Sequence, residues 1–274
     1  MAQVAAIQMV SSHDLTANLN EAAGLLARAA GQGASVAVLP ENFAVLATAS
    51  MRSCGEQEAG PRPVIRRFLA EQARAHGLWI VGGSLPLADR PDGSSLEHRV
   101  RASCLVFNNQ GDEVARYDKI HLFDAVVDDA HGQYRESDSF EPGRQVVTVE
   151  TPAGRLGLAI CYDLRFPELF RALREQGADW VCLPSAFTWQ TGDAHWHALI
   201  RARAIENQVW VVAAGQGGQN SSRRKTYGHS LICDPWGKVV TEIGEGPGLV
   251  VAELAPERLQ QVRERMPVWQ HRRL

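Results

Sequence analysis

Gln32-Gly33-Ala34-Ser35-Val36-Ala37-Val38-Leu39-Pro40-Glu41-Asn42-Phe43 aligns without a gap to Gln176-Gly177-Ala178-Asp179-Trp180-Val181-Cys182-Leu183-Pro184-Ser185-Ala186-Phe187. Each stretch reads as a helix end, a tight turn, a short buried strand and a proline at the exit. Two common helix-to-strand connections can match by coincidence. The stronger reading is a pair of similar α/β halves, with Glu41 and Ser185 at equivalent strand ends. Such ends are where α/β proteins place their ligands.

Working outward, short apolar runs alternate with helical patterns, which gives an α/β class. Strands are predicted over 4–9, 36–39 and 78–81, the last ended by Gly82-Gly83. Asp14 caps a helix whose apolar positions Leu15, Leu19, Ala22, Leu25, Leu26 and Ala29 share one face. A second helix is predicted over 64–75. A strand–turn–strand follows over 104–107 and 114–117, around Asn108-Asn109-Gln110-Gly111. Residues 124–144 are polar and aperiodic and read as a long loop, which in a compact domain suggests function or disorder. The second half restarts with a strand (156–160), a helix (167–176), a strand (180–183), a helix around 196–207 and a strand (209–213). A hairpin turns at Asp234-Pro235-Trp236-Gly237, and the tail from 256 starts helical. No linker or composition break divides the chain, so residues 1–274 read as a single domain.

The bulk numbers describe an ordinary globular chain: 274 residues, 45% hydrophobic, 22% charged. A net charge of -3 with mixed signs argues against a dominant nucleic-acid or anionic-membrane surface. The N-terminal apolar run has no signal-peptide layout, and no segment nears the roughly 20 apolar residues that cross a bilayer. Five scattered cysteines without a CxxC pair fit reduced thiols, so the expected compartment is the cytoplasm.

Cys161 is the cysteine in the most suggestive place. It follows Gly157-Leu158-Ala159-Ile160 and precedes Tyr162-Asp163-Leu164-Arg165-Phe166-Pro167, where Pro167 suits a first helical turn. Free backbone N–H groups at such an elbow lower a thiol pKa or bind an oxyanion. A buried structural cysteine is the competing reading, and it is the preferred one for Cys104, Cys182 and Cys233 in predicted strands. Cys54, in a polar stretch, is unassigned. Glu41 closes a buried strand, which suits a general base as well as a capping acid. Lys119, amid aromatics in Tyr117-Asp118-Lys119-Ile120-His121, suits an anion-stabilising point charge or plain surface. His121, His195, His197 and His229 leave a Cys–His pair open, although no papain-type or caspase-type sequence surrounds Cys161. His195 and His197 on one helix would point apart, which disfavours zinc. No phosphate-binding glycine loop is present, and 215–218 reads as a plain loop.

Taken in order, Leu39-Pro40-Glu41, Tyr117-x-Lys119-x-His121-Leu122-Phe123-Asp124 and Gly157-Leu158-Ala159-Ile160-Cys161-Tyr162-Asp163 resemble the nitrilase superfamily of carbon–nitrogen hydrolases. The resemblance extends from Ala5-Ala6-Ile7-Gln8-Met9 to Arg201-Ala202-Arg203-Ala204-Ile205-Glu206-Asn207. It implies a four-layer αββα sandwich of two similar halves, no cofactor or metal, and a homodimer or larger homo-oligomer. It also implies Glu41 as base, Lys119 as stabiliser of the tetrahedral intermediate, Cys161 as nucleophile, and Glu136 in Tyr134-Arg135-Glu136-Ser137 as a second, positioning glutamate. Tyr227-Gly228-His229-Ser230, Glu245-Gly246-Pro247-Gly248 and the end Pro267-Val268-Trp269-Gln270 are similar to the deaminated-glutathione amidase branch more than the ω-amidase branch. Asn42, where a small residue is usual, and Ala102, where an Asn is usual, depart from that branch. A small anionic amide is the implied substrate, with Tyr162, Ser185, Phe187 and Arg165 as lining residues. Arg201, Arg203, Arg223 and Arg224 are further cation candidates.

Overall fold

Side chains that alternate along one buried strand set the layers. In β1 (Gln3–Gln8), Val4 and Ala6 enter one core, while Ala5 and Ile7 enter another on the opposite face. The computed structural model describes residues 2–130 and 132–273. After β1 come α1 (Leu15–Gly31), β2 (Ala34–Val38), α2 (Met51–Ala59), α3 (Ile65–His76), β3 (Trp79–Val81), β4 (Leu85–Leu87), β5 (Arg101–Phe107) and β6 (Glu113–Asp118). A two-stranded ribbon follows, β7 (Asp124–Val126) with β8 (Gln133–Arg135). The second half holds β9 (Thr148–Thr151), β10 (Gly154–Leu158), α4 (Pro167–Glu175), β11 (Trp180–Ser185), α5 (Trp189–Asn207) and β12 (Trp210–Gly215). It closes with β13 (Gly217–Ser221), β14 (Arg224–Tyr227), β15 (Leu231–Cys233), β16 (Val239–Glu242), β17 (Gly248–Glu253) and α6 (Pro256–Arg265).

The two halves repeat one motif. β1, β2 and β3 run parallel in the first sheet, and β10, β11 and β12 run parallel in the second. The two aligned sequence stretches supply the middle strand of each trio, β2 and β11. Helices α1 and α3 cover the outer face of the first sheet through Leu25, Leu26, Ile65 and Leu69. Helices α4 and α5 cover the second through Leu169, Phe170, Trp196 and Ile200. The inner faces meet, Val4, Val36 and Val38 joining one core with residues of β10–β12, so the layers read α–β–β–α. The last strand, β17, returns to pair antiparallel with β1 and ties the chain's end to its first sheet. Among the described residues no helix is long and apolar enough to cross a membrane.

Two readings from sequence are refined here. Residues 124–144 are not a featureless loop, since they hold the β7–β8 ribbon and a one-turn helix, Glu136–Asp138. Residues 215–218 straddle the end of β12 and the start of β13. Helix α2 had no apolar period to reveal it; its buried positions include Gly55 and Glu58, and it packs on β4.

Gly83 holds a tight joint beside Glu41. Its φ is +58°, and an added Cβ would lie 2.1 Å from the Pro40 carbonyl oxygen. Gly83→Ala is therefore expected to cost at least about 2 kcal/mol of unfolding free energy, from left-handed strain plus backbone displacement. Urea titration of the variant measures this, and a loss below about 0.5 kcal/mol contradicts it.

Candidate active site

Three strand ends converge. Glu41 comes three residues after β2, Lys119 immediately after β6, and Cys161 at the end of the segment leaving β10. Backbone hydrogen bonds fix the segments that carry Glu41 and Lys119. Leu39 N–H donates to the Val81 carbonyl at 3.0 Å, and Lys119 N–H to the Ala102 carbonyl at 2.9 Å. Gly143 N–H closes on the Lys119 carbonyl at 2.8 Å. From the second half, the buried Gln216 side chain reaches across to donate to the Glu41 carbonyl at 3.1 Å. Asn42, the departure next to Glu41, has φ +55°, a conformation that asparagine tolerates better than most residues.

Cys161 sits at φ +49° and opens a short 3-10 turn, Cys161–Arg165. Asp163 fixes that turn. Its fully buried carboxylate accepts from Ile160 N–H (2.9 Å), Tyr117 Oη–H (2.7 Å) and His121 N–H (3.1 Å), and it lies 2.7 Å from His121 Nδ1. One side chain thus joins the Cys161 elbow to the segment that carries Lys119.

Lys119 Nζ donates to Glu41 Oε1 at 2.9 Å and to both Glu136 oxygens at 2.9 and 2.8 Å, with only 2% of the residue exposed. Phe123 N–H donates to Glu136 Oε2 at 2.6 Å, and Ser137 fastens the adjoining turn to Asp124 through its N–H and hydroxyl. The ribbon between the halves delivers Glu136 to the lysine. Burial alone would push the Lys119 ammonium down, but the negative charges of Glu136 and Glu41 overcome it and hold it well above its usual value. Burial raises the Glu136 carboxyl, Lys119 opposes that rise, and Glu41 adds to it. Burial and then Glu41 push the Cys161 thiol well up, against Lys119 and a backbone hydrogen bond from Ala186. The thiol is therefore protonated at rest, and attack requires a base beside it.

Cys161, Glu41, Lys119 and Glu136 line one cavity of about 190 Å³, with Arg135 and Arg224 on its walls. Tyr162, Arg165 and Phe187 line a smaller pocket of about 20 Å³ that also reaches Cys161. Ser185 lines neither: it is the last residue of β11, its hydroxyl donates back to the Leu183 carbonyl at 3.3 Å, and Ala186 forms the wall instead. Arg203 is spent on the Leu164 carbonyl and Glu206, Arg201 on the Gly237 carbonyl, and Arg223 lies outside both pockets. No histidine of the described residues lines either pocket. His121 is stacked on Phe166 and tied to Asp163, and His195 faces Arg165. His197 and His229 share Glu242, and that trio is the group with metal-ligand spacing among the described residues. Asp163, Gln216 and Arg135 had no signal of their own in sequence. Asp163 lies in the quoted Cys161 motif, but its function is visible only in its hydrogen bonds.

Removing the ammonium leaves two buried carboxylates facing each other. In Lys119→Met the Glu136 carboxyl loses the partner that lowers it and keeps the burial and the Glu41 charge that raise it. The folded protein then binds the proton more tightly than the unfolded chain, so stability falls as pH climbs above the unfolded carboxyl value of about 4.3. The expected outcome is a stability loss relative to wild type that is larger at pH 8 than at pH 5, seen as melting temperature against pH. Parallel curves for the two proteins would contradict it.

The family model described as carbon-nitrogen hydrolase matches residues 3–264. A protein of Yersinia enterocolitica named deaminated glutathione amidase is 41% identical, over 99% of this chain and 93% of that protein. A Homo sapiens protein of the same name is 42% identical, over 98% of this chain and 82% of its own. The crystal structure of Saccharomyces cerevisiae Nit3, described as a member of branch 10 of the nitrilase superfamily, superposes with a TM-score of 0.87 at 34% identity. It covers 100% of this chain and 97% of its own. The match along 3–264 shows that this chain belongs to the carbon-nitrogen hydrolase family and is a hydrolase of carbon–nitrogen bonds.

Proposed function

We propose that this chain hydrolyses the amide bond of deaminated glutathione, the 2-oxo analogue of glutathione, to 2-oxoglutarate and cysteinylglycine. The observation that carries the reading is the Lys119 ammonium bonded to Glu41 and Glu136 beside Cys161. The substrate assignment rests on the relatives of that name.

In this mechanism Glu41 takes the Cys161 proton, and the thiolate attacks the amide carbon. Lys119 and the backbone N–H of Tyr162 hold the oxyanion. The C–N bond breaks as Glu41 returns the proton to the departing amine, which leaves a thioester on Cys161. Glu41 then takes a proton from water, the resulting nucleophile adds to the thioester, and acid leaves as the thiol re-forms. Glu136 keeps Lys119 in place. Arg165, Tyr162 and Phe187 border the bound substrate beside Cys161. A carboxylate base between a raised thiol and a fixed ammonium fits this division of labour.

We further infer a single-domain cytoplasmic enzyme that works without cofactor or metal and assembles as a homodimer or larger homo-oligomer. The five free cysteines support a reducing compartment.

Purified protein should turn over deaminated glutathione with a larger kcat/KM than 2-oxoglutaramate. Cys161→Ala should lose more than about 10⁴-fold of that activity. A reversed preference would favour an ω-amidase, and near wild-type activity in Cys161→Ala would refute the mechanism. Conversely, a thiol hydrolase of Cys–His type would lose its activity in His121→Ala and keep it in Lys119→Ala.

A further inference from the structure

Two pockets meet at Cys161, and they differ in what surrounds the sulfur. The larger carries Glu41 and Lys119. The smaller, with Tyr162, Arg165, Thr188 and Thr191, carries neither. In the reaction proposed above Glu41 protonates the departing amine, so the amine half of a substrate lies on the Glu41 side, in the larger cavity.

Arg224 stands on the wall of that larger cavity, and its guanidinium is poorly used by the protein itself. Its Nη2 makes one long bond, 3.4 Å, to the Ala186 carbonyl, and its Cζ lies 5.9 Å from the centre of the Tyr134 ring. Its Nε is sealed from water with no acceptor. Among the described residues no carboxylate pairs with it, whereas Arg90, Arg101, Arg116 and Arg203 each have one. The donors left for a ligand are therefore on the terminal nitrogens, and a half-buried guanidinium without a counter-ion has a planar fork that matches a carboxylate.

The spacing limits what that acceptor is attached to. Ala186 meets both groups: its N–H bonds the Cys161 sulfur and its carbonyl meets Arg224. Two hydrogen-bond contacts and the backbone of a single residue therefore bridge the sulfur and the guanidinium, which suits a leaving group of one or two residues, since extended chain advances about 3.3–3.6 Å per residue. Arg135 lines the same cavity and adds a second positive charge at its exposed edge.

We propose that Arg224 forms a carboxylate subsite for the amine half of the substrate, selecting amides whose leaving amine ends in a short, distal carboxylate such as the C-terminus of a dipeptide. This rests on the amidase reading above and deepens it, because it assigns the second of the substrate's two carboxylates to a residue. Arg224 is a specificity residue, outside the bond-making step.

Two substrates separate the possibilities: the 2-oxoglutaryl amide of cysteinylglycine and the same molecule with its C-terminus as a carboxamide. Wild-type enzyme should prefer the free acid by about 10- to 100-fold in kcat/KM, mostly through KM, as expected for one charge-assisted bidentate contact. Arg224→Gln should lose that factor on the acid and stay within about twofold of wild type on the carboxamide, which also shows that the variant is folded. Arg224→Lys should recover part of the loss. Equal losses on both substrates, or a wild type indifferent to the carboxamide, would overturn the subsite while leaving the amidase reading intact. A wild type inert to both amides would overturn the amidase reading and the subsite together.

Discussion

A lysine ammonium that is almost wholly buried is sustainable only when fixed negative charge replaces its water. Dehydrating it costs several kcal/mol, and here three carboxylate contacts from Glu41 and Glu136 offset that cost. Much of the structure follows from satisfying this one cation. Glu41 must end its strand in the crevice, and Glu136 must be delivered by a segment that otherwise belongs to neither half. The joints near these residues are correspondingly tight, with Gly83 against Pro40 and Gly143 against Asp118.

The same charge cluster sets the chemistry of the sulfur. Burial and the neighbouring carboxylate keep the Cys161 thiol protonated, and Lys119 favours the thiolate once the proton has moved. A base on one side and a cation on the other therefore divide the work between proton removal and charge stabilisation. Asp163 makes the geometry reproducible. It gathers donors from the elbow and from the Tyr117–His121 segment, so the nucleophile and the ammonium are positioned by a shared buried anion. His121, which from sequence competed as the base, is held in that structural network.

What was legible in the sequence was the part written in local patterns. The repeated helix-end, strand and proline stretch identified the middle strands of both sheets, because apolar runs and turn residues are short-range signals. Cys161, Glu41 and Lys119 each allowed a bland reading when taken singly, and their ordered resemblance to one family joined them. Glu136 was legible only through that resemblance, since its ribbon has neither period. Ser185 shows the limit of the repeat: its backbone matches Glu41, but its hydroxyl turns back into its own strand and Ala186 takes the wall. The arginines could not be sorted at all without the fold, because their separation into structural and cavity-lining groups depends on partners distant in sequence.

The most direct measurement of the central claim is rapid quenching of the enzyme during turnover of deaminated glutathione, followed by mass spectrometry of the peptide that contains Cys161. A 2-oxoglutaryl group is expected on that peptide, labile to hydroxylamine as a thioester is, appearing before free 2-oxoglutarate. Turnover with no acyl group on Cys161, or with the group on another residue, would contradict it.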